Sequence, residues 1–252
     1  MKPVITPKHN KLRIIGYCSG SGNTLWSAYK LQKEMEAKGS CPFEVAAIFA
    51  DNPESKAVSS AMEYGVAWEA IDIRAFYSER NAPMRDRTIR AEYDRQAIAL
   101  LEKYDADVIL LAGYVWATTD IVLDTYTVVN VHPADLAVTN ETDTRLLAGS
   151  NGIKSAFKYN MNYLRASSHL ATKALDAGPL LVRSPQVPVD YTLFTDEEER
   201  FRHYLKLVNA QSRKVGARTM LELAEGNFSY DESGRLLYKG TLCPTGLLIE
   251  EW

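Results

Sequence analysis

Four short apolar runs, none with a polar face, constrain the fold of this chain most strongly. Runs of this kind are typical of strands buried on both faces, as in parallel sheets that helices cover on both sides. Segments with apolar residues at helical spacing separate them. The strands are predicted over residues 12–18, 44–50, 107–112 and 127–131, with a fifth over 66–73, and the helices over 25–38, 55–64, 90–103 and 121–126. The pattern predicts an α/β fold with a Rossmann-like, doubly wound, mostly parallel sheet.

The second half of the chain is less regular. Residues 137–162 are polar and interrupted by glycines, and strands are predicted over 164–172 and 180–189. A long helix is predicted over 196–226, and residues 230–240 have the pattern of a β-hairpin that turns near Ser233 and Gly234. We predict one domain over residues 1–226, with a polar N-terminal arm over 1–11, and a C-terminal hairpin extension over 227–252.

The composition excludes several classes of partner. The formal net charge of the 252 residues is −3, which excludes nucleic-acid binding through bulk positive charge. No apolar run approaches the roughly 20 residues of a membrane helix. Cys18, Cys41 and Cys243 form no CxxC motif and have no paired histidines at metal spacing, so neither a disulfide scaffold nor a metal site is predicted. We expect a cytoplasmic protein that binds small molecules. The sequence also allows a homodimer.

A glycine-containing turn joins the first strand to the first helix. Its residues are Gly20, Ser21, Gly22, Asn23 and Thr24. Glycines allow close approach of the backbone to an anion, and a helix N-terminus offers free N–H groups, so a phosphate fits here. The turn matches neither the dinucleotide fingerprint nor the Walker pattern. It does resemble the flavodoxin-like SxTGNT loop, so the turn alone does not choose between a flavin phosphate and another phosphate.

A second group of polar residues follows the strand over 127–131. Asn130 and His132 lie on one face of that strand by alternation, at the strand end where open α/β sheets bind ligands. A single histidine at a strand end is more often structural. An amide beside an imidazole, however, provides hydrogen-bond donors that can stabilise an oxyanion. Asp176, in a Leu-Asp-Ala-Gly-Pro segment, is by itself most simply a turn residue.

Together these motifs resemble the folate-dependent formyltransferases, and within them the glycinamide ribonucleotide formyltransferases of purine biosynthesis. The resemblance covers about residues 12–226 and is most specific in the NxHP and DxGP pair. The motifs, in chain order, are SGSGNTL, RAEYDR, LLAGY, NVHPADL, SSHL and LDAGPLL. The resemblance implies formyl transfer from 10-formyltetrahydrofolate, as co-substrate, to a phosphorylated amine.

The same resemblance implies roles for individual residues. Asn130, His132 and Asp176 would be catalytic, with His132 and Asn130 stabilising the oxyanion and Asp176 holding His132 protonated. The residues implied to bind the acceptor phosphate are Gly20, Ser21, Gly22, Asn23 and Thr24, and those implied to bind folate are Arg90, Tyr114, Val115, Trp116, Ala117, Thr118 and His169.

Several positions depart from the family pattern and leave the acceptor open. Trp116 stands where the family usually has Arg, and the loop after His132 lacks the usual Tyr-x-Gly-x-His stretch. The Glu expected on the late helix falls near Gln211 or Ser212. Asp135 adds a charge beside His132 where the family has Leu. One alternative is a relative with a different acceptor or without catalysis, and another is a flavodoxin-like electron carrier that binds flavin mononucleotide.

Overall fold

A computed structural model describes all residues, 1–252. Residues Ile5–Val129 form one compact unit, which we call the N-terminal unit. Residues Met1–Val4 and Asn130–Trp252 form the second, the C-terminal unit. No helix is both long enough and apolar enough to cross a membrane. The predicted boundary between residues 226 and 227 stays a prediction.

The chain contains short strands and helices in alternation through its first half. The strands are β1 (Lys2–Pro3), β2 (Leu12–Cys18), β3 (Phe43–Ala50), β4 (Ala67–Ala70), β5 (Val108–Leu111), β6 (Thr127–His132), β7 (Tyr163–Leu164), β8 (Ser167–Leu170), β9 (Leu180–Arg183), β10 (Val187–Pro188), β11 (Phe228–Tyr230), β12 (Leu236–Tyr238), β13 (Thr241–Leu242) and β14 (Leu247–Leu248). The helices are α1 (Asn23–Glu36), α2 (Lys56–Tyr64), α3 (Ile73–Glu79), α4 (Arg87–Leu101), α5 (Asp120–Thr125), α6 (Gly152–Lys158) and α7 (Glu197–Ala224), with a 3-10 turn at Glu102–Tyr104.

The N-terminal unit is built on a parallel sheet in the order β5-β2-β3-β4. The apolar runs form its strands because their side chains are buried on both faces, as in β2, where six of seven residues are buried. Helices begin at polar caps between the strands. The Asp86 carboxylate, for example, accepts hydrogen bonds from the backbone N–H groups of Thr88 and Ile89 at the start of α4. The predicted mostly parallel α/β fold is confirmed.

The C-terminal unit contains the end of β6 from Asn130 onwards, the strands β8, β9 and β14 of the same sheet, and a separate antiparallel sheet in the order β1-β11-β12-β13. Strands β8 and β9 are antiparallel, and β14 runs parallel to β9. The predicted C-terminal hairpin is present as β11 and β12, with the Asp231 carboxylate accepting from Ser233 N–H in the turn. The predicted polar arm contributes β1, which pairs with β11.

Three sequence expectations were wrong in detail. The predicted strand over 66–73 ends at Ala70, because the Asp72 carboxylate caps a helix, α3, that the pattern did not reveal. The predicted strand over 180–189 is broken into β9 and β10, since the chain carries Pro185 between them. Helix α6 lies within the stretch that we expected to be irregular.

Asp135 lies in a buried ion cluster in the C-terminal unit. It is 2% exposed, and its carboxylate lies 3.5 Å from Arg165 Nε and 3.4 Å from Arg183 Nη1. Asp135 is absent from the principal charges that act on His132, namely those of Asp176, His169 and Arg145. The charge that departs from the family pattern is therefore balanced by two arginines.

We predict that Asp135→Ala lowers the free energy of unfolding by about 3–5 kcal/mol, because two arginines lose the carboxylate that compensates their buried charge. Urea denaturation followed by circular dichroism measures the change. Glu141→Ala, at an exposed loop position, is the control and should change stability by less than about 0.5 kcal/mol. Equal effects of the two substitutions would contradict the assignment.

Candidate functional site

The C-terminal unit brings Asn130, His132 and Asp176 together, as predicted from the motif pair. Asn130 and His132 lie on β6, and Asp176 lies in the turn between β8 and β9. Asp176 Oδ2 lies 3.6 Å from His132 Nδ1, and Asp176 Oδ1 accepts from Asn130 Nδ2 at 3.3 Å. The side chains of His132 and Asp176 are 7% and 5% exposed, so water screens their interaction weakly.

His169 completes this cluster rather than lying apart from it. Its Nδ1 donates to the backbone carbonyl of Leu170 at 2.9 Å, which orients the ring. Its Nε2 lies 3.3 Å from Asp176 Oδ1 and 3.2 Å from Asn130 Nδ2. The resemblance implied a folate-binding role for His169. In the structure its contacts are with two of the three candidate catalytic residues.

The turn that carries Asp176 has a constrained backbone. Asp176 has φ 48°, in the left-handed region that residues other than glycine adopt at a cost. At Gly178 an added Cβ would lie 1.8 Å from the backbone oxygen of Leu170, so only glycine fits. Gly149 N–H donates to Asp176 Oδ2 at 2.8 Å. These contacts orient the Asp176 carboxylate towards the side chains of Asn130 and His132 on β6.

The pKa of Asp176 is well below its ordinary value. Burial opposes ionisation, but the hydrogen bond with His169 and the N–H of Gly149 are among the contributions that outweigh it. Asp176 is therefore an anion at neutral pH. It can accept hydrogen bonds only, and a cation that forms beside it is stabilised.

Burial lowers the pKa of His132, and the raising contributions of the Asp176 carboxylate and the Leu147 carbonyl do not overcome it. The sequence analysis expected Asp176 to hold His132 protonated, and the burial of the ring, which the sequence does not show, acts against that effect. His132 Nε2 donates to the Leu147 carbonyl at 2.8 Å. The neutral ring therefore presents the lone pair of Nδ1 on the side of Asp176, where it can take up a proton.

The predicted phosphate-binding turn lies in the N-terminal unit. Helix α1 begins directly after Gly22, which has φ 64°, and no side chain caps its first N–H groups. An added Cβ at Gly22 would approach Cys18 Sγ to 3.0 Å, so the turn requires glycine for both conformation and space. The Trp26 indole holds the turn by donating to the Ser21 carbonyl at 2.9 Å. Uncapped N–H groups at a helix start suit an anion.

The thiol of Cys18 lies beside this turn but is not a nucleophile. Burial and the nearby charge of Asp51 raise its pKa to about 12, so the thiolate is not formed at neutral pH.

Arg90 forms the centre of a polar and aromatic cluster in the N-terminal unit. The residue is 8% exposed, and its guanidinium lies 5.1 Å from the Trp116 ring centroid and 5.7 Å from that of Tyr93. Arg90 Nε and Nη1 and the hydroxyls of Tyr17 and Tyr114 have no partner at strict hydrogen-bond geometry, while Tyr77 and Tyr114 interact with the guanidinium. Buried polar groups are normally paired, so this cluster is not fully satisfied within the protein. The sequence analysis did not identify Tyr17.

The segment over 114–118, implied to bind folate, is tied to the glycine turn through Ser19. The Ser19 hydroxyl accepts from Val115 N–H at 3.0 Å and donates to Asp51 Oδ2 at 2.6 Å. At the other end of the segment, Asp94 accepts from the backbone N–H and the hydroxyl of Thr119. Val115 itself is 74% exposed, so its side chain contributes little to the buried cluster around Arg90.

The departures from the family pattern have structural explanations. Trp116 stacks on Arg90 instead of adding a second cation. On α7, Ser212 is 7% exposed and its hydroxyl donates to the Val208 carbonyl at 3.0 Å, while Gln211 Oε1 accepts from the Trp252 indole at 2.5 Å. Neither side chain supplies the carboxylate that the family pattern has there. No group of three or more His, Cys, Asp or Glu residues is arranged to hold a metal ion.

These features define a class of protein before any comparison. An α/β fold with an amide, a neutral histidine and an ionised carboxylate at one strand end can stabilise an oxyanion and move one proton, as transfer of an acyl group requires.

Comparison with known proteins agrees with this class. The sequence matches the formyl transferase family over residues 12–206, more than half of the chain, and the chain therefore belongs to that family. Phosphoribosylglycinamide formyltransferase of Escherichia coli (strain K12) is 24% identical over 95% of this chain and 100% of its own length. Formyltetrahydrofolate deformylase of Bacillus subtilis (strain 168) is 27% identical over 57% of this chain, which spans 41% of that relative.

Solved structures show the same fold. The phosphoribosylglycinamide formyltransferase from Coxiella burnetii, in complex with CHES, has a TM-score of 0.72 at 19% identity and covers 95% of this chain and 99% of its own. A formyltetrahydrofolate deformylase from Pseudomonas syringae has a TM-score of 0.67 at 18% identity, over 90% of this chain and 66% of its own.

The expected resemblance to the folate-dependent formyltransferases is confirmed, and the flavodoxin-like alternative is wrong, because the family match includes the glycine turn and extends far beyond it. The E. coli relative matches 95% of the chain, so the similarity also reaches past residues 12–226 into the terminal segments that we expected to lie outside it.

We predict that His132 titrates below the ordinary histidine value of 6.5 because of its burial. In Asp176→Asn the pKa of His132 falls further, because the substitution removes the carboxylate that stabilises the charged ring. NMR of 13C-labelled histidine over a pH series measures both, with His132→Gln assigning the resonance. A pKa of His132 at or above 6.5, or a rise in Asp176→Asn, would contradict the electrostatic assignment.

Proposed function

We propose that the protein transfers the formyl group of 10-formyltetrahydrofolate to the amine of glycinamide ribonucleotide. The observation that carries the proposal is the buried cluster in which His132 Nδ1 lies 3.6 Å from the ionised carboxylate of Asp176, with the Asn130 amide bonded to that carboxylate. The match to E. coli phosphoribosylglycinamide formyltransferase over its whole length supports this acceptor. The protein would then act in purine biosynthesis in the cytoplasm.

The reaction needs one group that accepts a proton and one hydrogen-bond donor that stabilises the oxyanion. The acceptor amine attacks the formyl carbon, a C–N bond forms, and the electron pair of the carbonyl moves to its oxygen. The Asn130 amide donates to that oxygen, and His132 Nδ1 takes the proton that the amine loses. The imidazolium is stabilised by Asp176. His132 then gives the proton to the folate nitrogen as the C–N bond to folate breaks and the carbonyl re-forms.

A neutral histidine suits this sequence of steps better than a protonated one. The low pKa of His132 leaves Nδ1 free to accept the proton at neutral pH. The developing oxyanion and Asp176 both favour the charged ring once the intermediate forms, so the same side chain can serve as base and then as acid.

The N-terminal unit would bind the phosphate and the folate. The uncapped start of α1 after Gly22 would bind the acceptor phosphate through backbone N–H groups. The guanidinium of Arg90 would bind a carbonyl or carboxylate of the folate, and the Trp116 ring offers an apolar face beside it.

A second candidate is hydrolysis of 10-formyltetrahydrofolate, with water as the acceptor. Two observations favour it. Deformylases of Bacillus subtilis and Synechocystis are among the relatives, at 27% and 24% identity. The side chains of Gln211 and Ser212 are also occupied by contacts within the protein instead of presenting a carboxylate for an amine. Dependence of the rate on added glycinamide ribonucleotide separates the two functions.

We predict that His132→Ala and Asp176→Ala reduce transfer by about 10²–10⁴-fold, the range for loss of a proton-transfer group. Asn130→Ala should reduce kcat by about 10²–10³-fold through loss of the oxyanion donor. The absorbance change on release of tetrahydrofolate follows the reaction with 10-formyltetrahydrofolate and glycinamide ribonucleotide.

His203→Ala is the matched control for these variants, because His203 lies on α7 beside Phe194 and Tyr204 and outside the cluster. It should retain the wild-type rate. Full activity of His132→Ala would contradict the mechanism, and a rate that is independent of the amine would favour hydrolysis.

A further inference from the structure

The loop after His132 brings one arginine against the turn that carries Asp176. Arg145 Nη2 donates to the Gly178 carbonyl at 2.8 Å, and Nη1 donates to the carbonyl of Asp176 itself. We propose that Arg145 is a positioning residue that holds the Asp176 carboxylate in register with His132. Its effect on catalysis rests on the proposed function, whereas its effect on the geometry of the pair does not.

The loop presents Arg145 from a small, internally bonded hairpin. Asn140 Oδ1 accepts from the backbone N–H groups of Thr142 and Thr144 and from the Thr142 hydroxyl. Leu146 N–H donates to the Val138 carbonyl at 3.0 Å, and Thr139 forms a bridge with Arg145. An Asx turn of this kind fixes the loop locally, so the arginine emerges at a defined place.

The same loop contacts the candidate catalytic pair at two further points. The Leu147 carbonyl accepts from His132 Nε2, and Gly149 N–H donates to Asp176 Oδ2. Residues 145–149 therefore hold the histidine, the carboxylate and the backbone of the aspartate turn together. Of these three contacts, only that of Arg145 is made by a side chain and can be removed by substitution.

The aspartate turn needs support from outside. Asp176 is a non-glycine residue at φ 48°, a conformation that persists only when surrounding contacts hold it. A guanidinium that donates to two carbonyls of one turn supplies charge-assisted hydrogen bonds in a fixed geometry. Both Nη atoms of Arg145 take part in this contact.

The charge of Arg145 also acts on His132. The principal charged or titratable groups that act on the ring are Asp176, His169 and Arg145, and the positive charge of Arg145 disfavours a second positive charge there. Loss of the positive charge alone would raise the pKa of His132, whereas displacement of the Asp176 carboxylate would lower it. A variant that keeps the charge and loses the two hydrogen bonds therefore isolates the positioning effect.

Three variants test the proposal. Arg145→Met removes the charge and the clamp, and Arg145→Lys keeps the charge but loses the two-carbonyl geometry. Arg200→Met is the matched control, because Arg200 Nη2 also donates to a backbone carbonyl, that of Phe194 at 2.8 Å, outside the cluster. For each variant, 13C-histidine NMR gives the pKa of His132, thermal unfolding gives Tm, and kinetics give kcat and KM.

For Arg145→Met we expect a fall in kcat of about 10–100-fold and a donor KM within about threefold of wild type, as misplacement of a catalytic group predicts. For Arg145→Lys we expect a lowered His132 pKa, because the positive charge is kept while the carboxylate is displaced, with a smaller loss of kcat. Arg200→Met should leave the His132 titration, kcat and KM at their wild-type values. If Arg145→Met does not fold, the lowered His132 pKa and the loss of kcat in Arg145→Lys still test the clamp.

The proposal is overturned if Arg145→Met retains wild-type kcat and Arg145→Lys retains the wild-type His132 titration, or if the loss of kcat in Arg145→Met only follows its fall in Tm. Wild-type protein that neither transfers nor releases formyl groups would contradict the proposed function instead. In that case the His132 pKa in Arg145→Lys, lowered or unchanged, still decides whether Arg145 holds the pair.

Discussion

The ionised carboxylate of Asp176 is the interaction on which the candidate site depends. A buried carboxylate without partners would be neutralised or would destabilise the fold, so each of its oxygens must be paired. Asn130 and His169 contact one oxygen, and Gly149 N–H and His132 lie at the other. The residues that the chemistry needs are therefore held together by the requirement to solvate one buried charge.

This arrangement also decides which form of His132 the protein holds at rest. Burial disfavours the imidazolium and the carboxylate favours it, and burial is the larger effect. The result is a neutral ring beside a fixed anion, which can accept a proton and become a stabilised cation. The attraction between the Asp176 carboxylate and the His132 ring is strongest when the ring becomes charged during the reaction. Both groups are already in place at that moment, so no reorganisation energy is needed.

The sequence predicted the parallel strands, the long helix and the three residues of the cluster, because apolar runs and the NxHP and DxGP motifs are local signals. The contributions of Arg145, Tyr17 and the Leu147 carbonyl could not be predicted in the same way. Each depends on loops or strands that are distant in the chain and that become neighbours only through hydrogen bonds in the folded protein.

Two features of the site that the sequence does not show have the same origin. The sequence places His169 in a strand, but only the fold brings it to Asp176. It also shows that a carboxylate accompanies His132, but the opposing effect of burial depends on packing around β6. The seven-residue helices α3 and α6 were also missed. Helix α3 begins at the last residue of a predicted strand, and α6 lies inside a stretch that the sequence pattern predicted to be irregular.

The most direct measurement follows the fate of a 13C-labelled formyl group supplied on 10-formyltetrahydrofolate in the presence of glycinamide ribonucleotide. If the cluster of Asn130, His132 and Asp176 transfers the group to an amine, the label appears by NMR in a formylated amide, and it does not in His132→Ala. Label that appears only as formate would contradict amine transfer, and label that stays on the folate would contradict catalysis by this cluster.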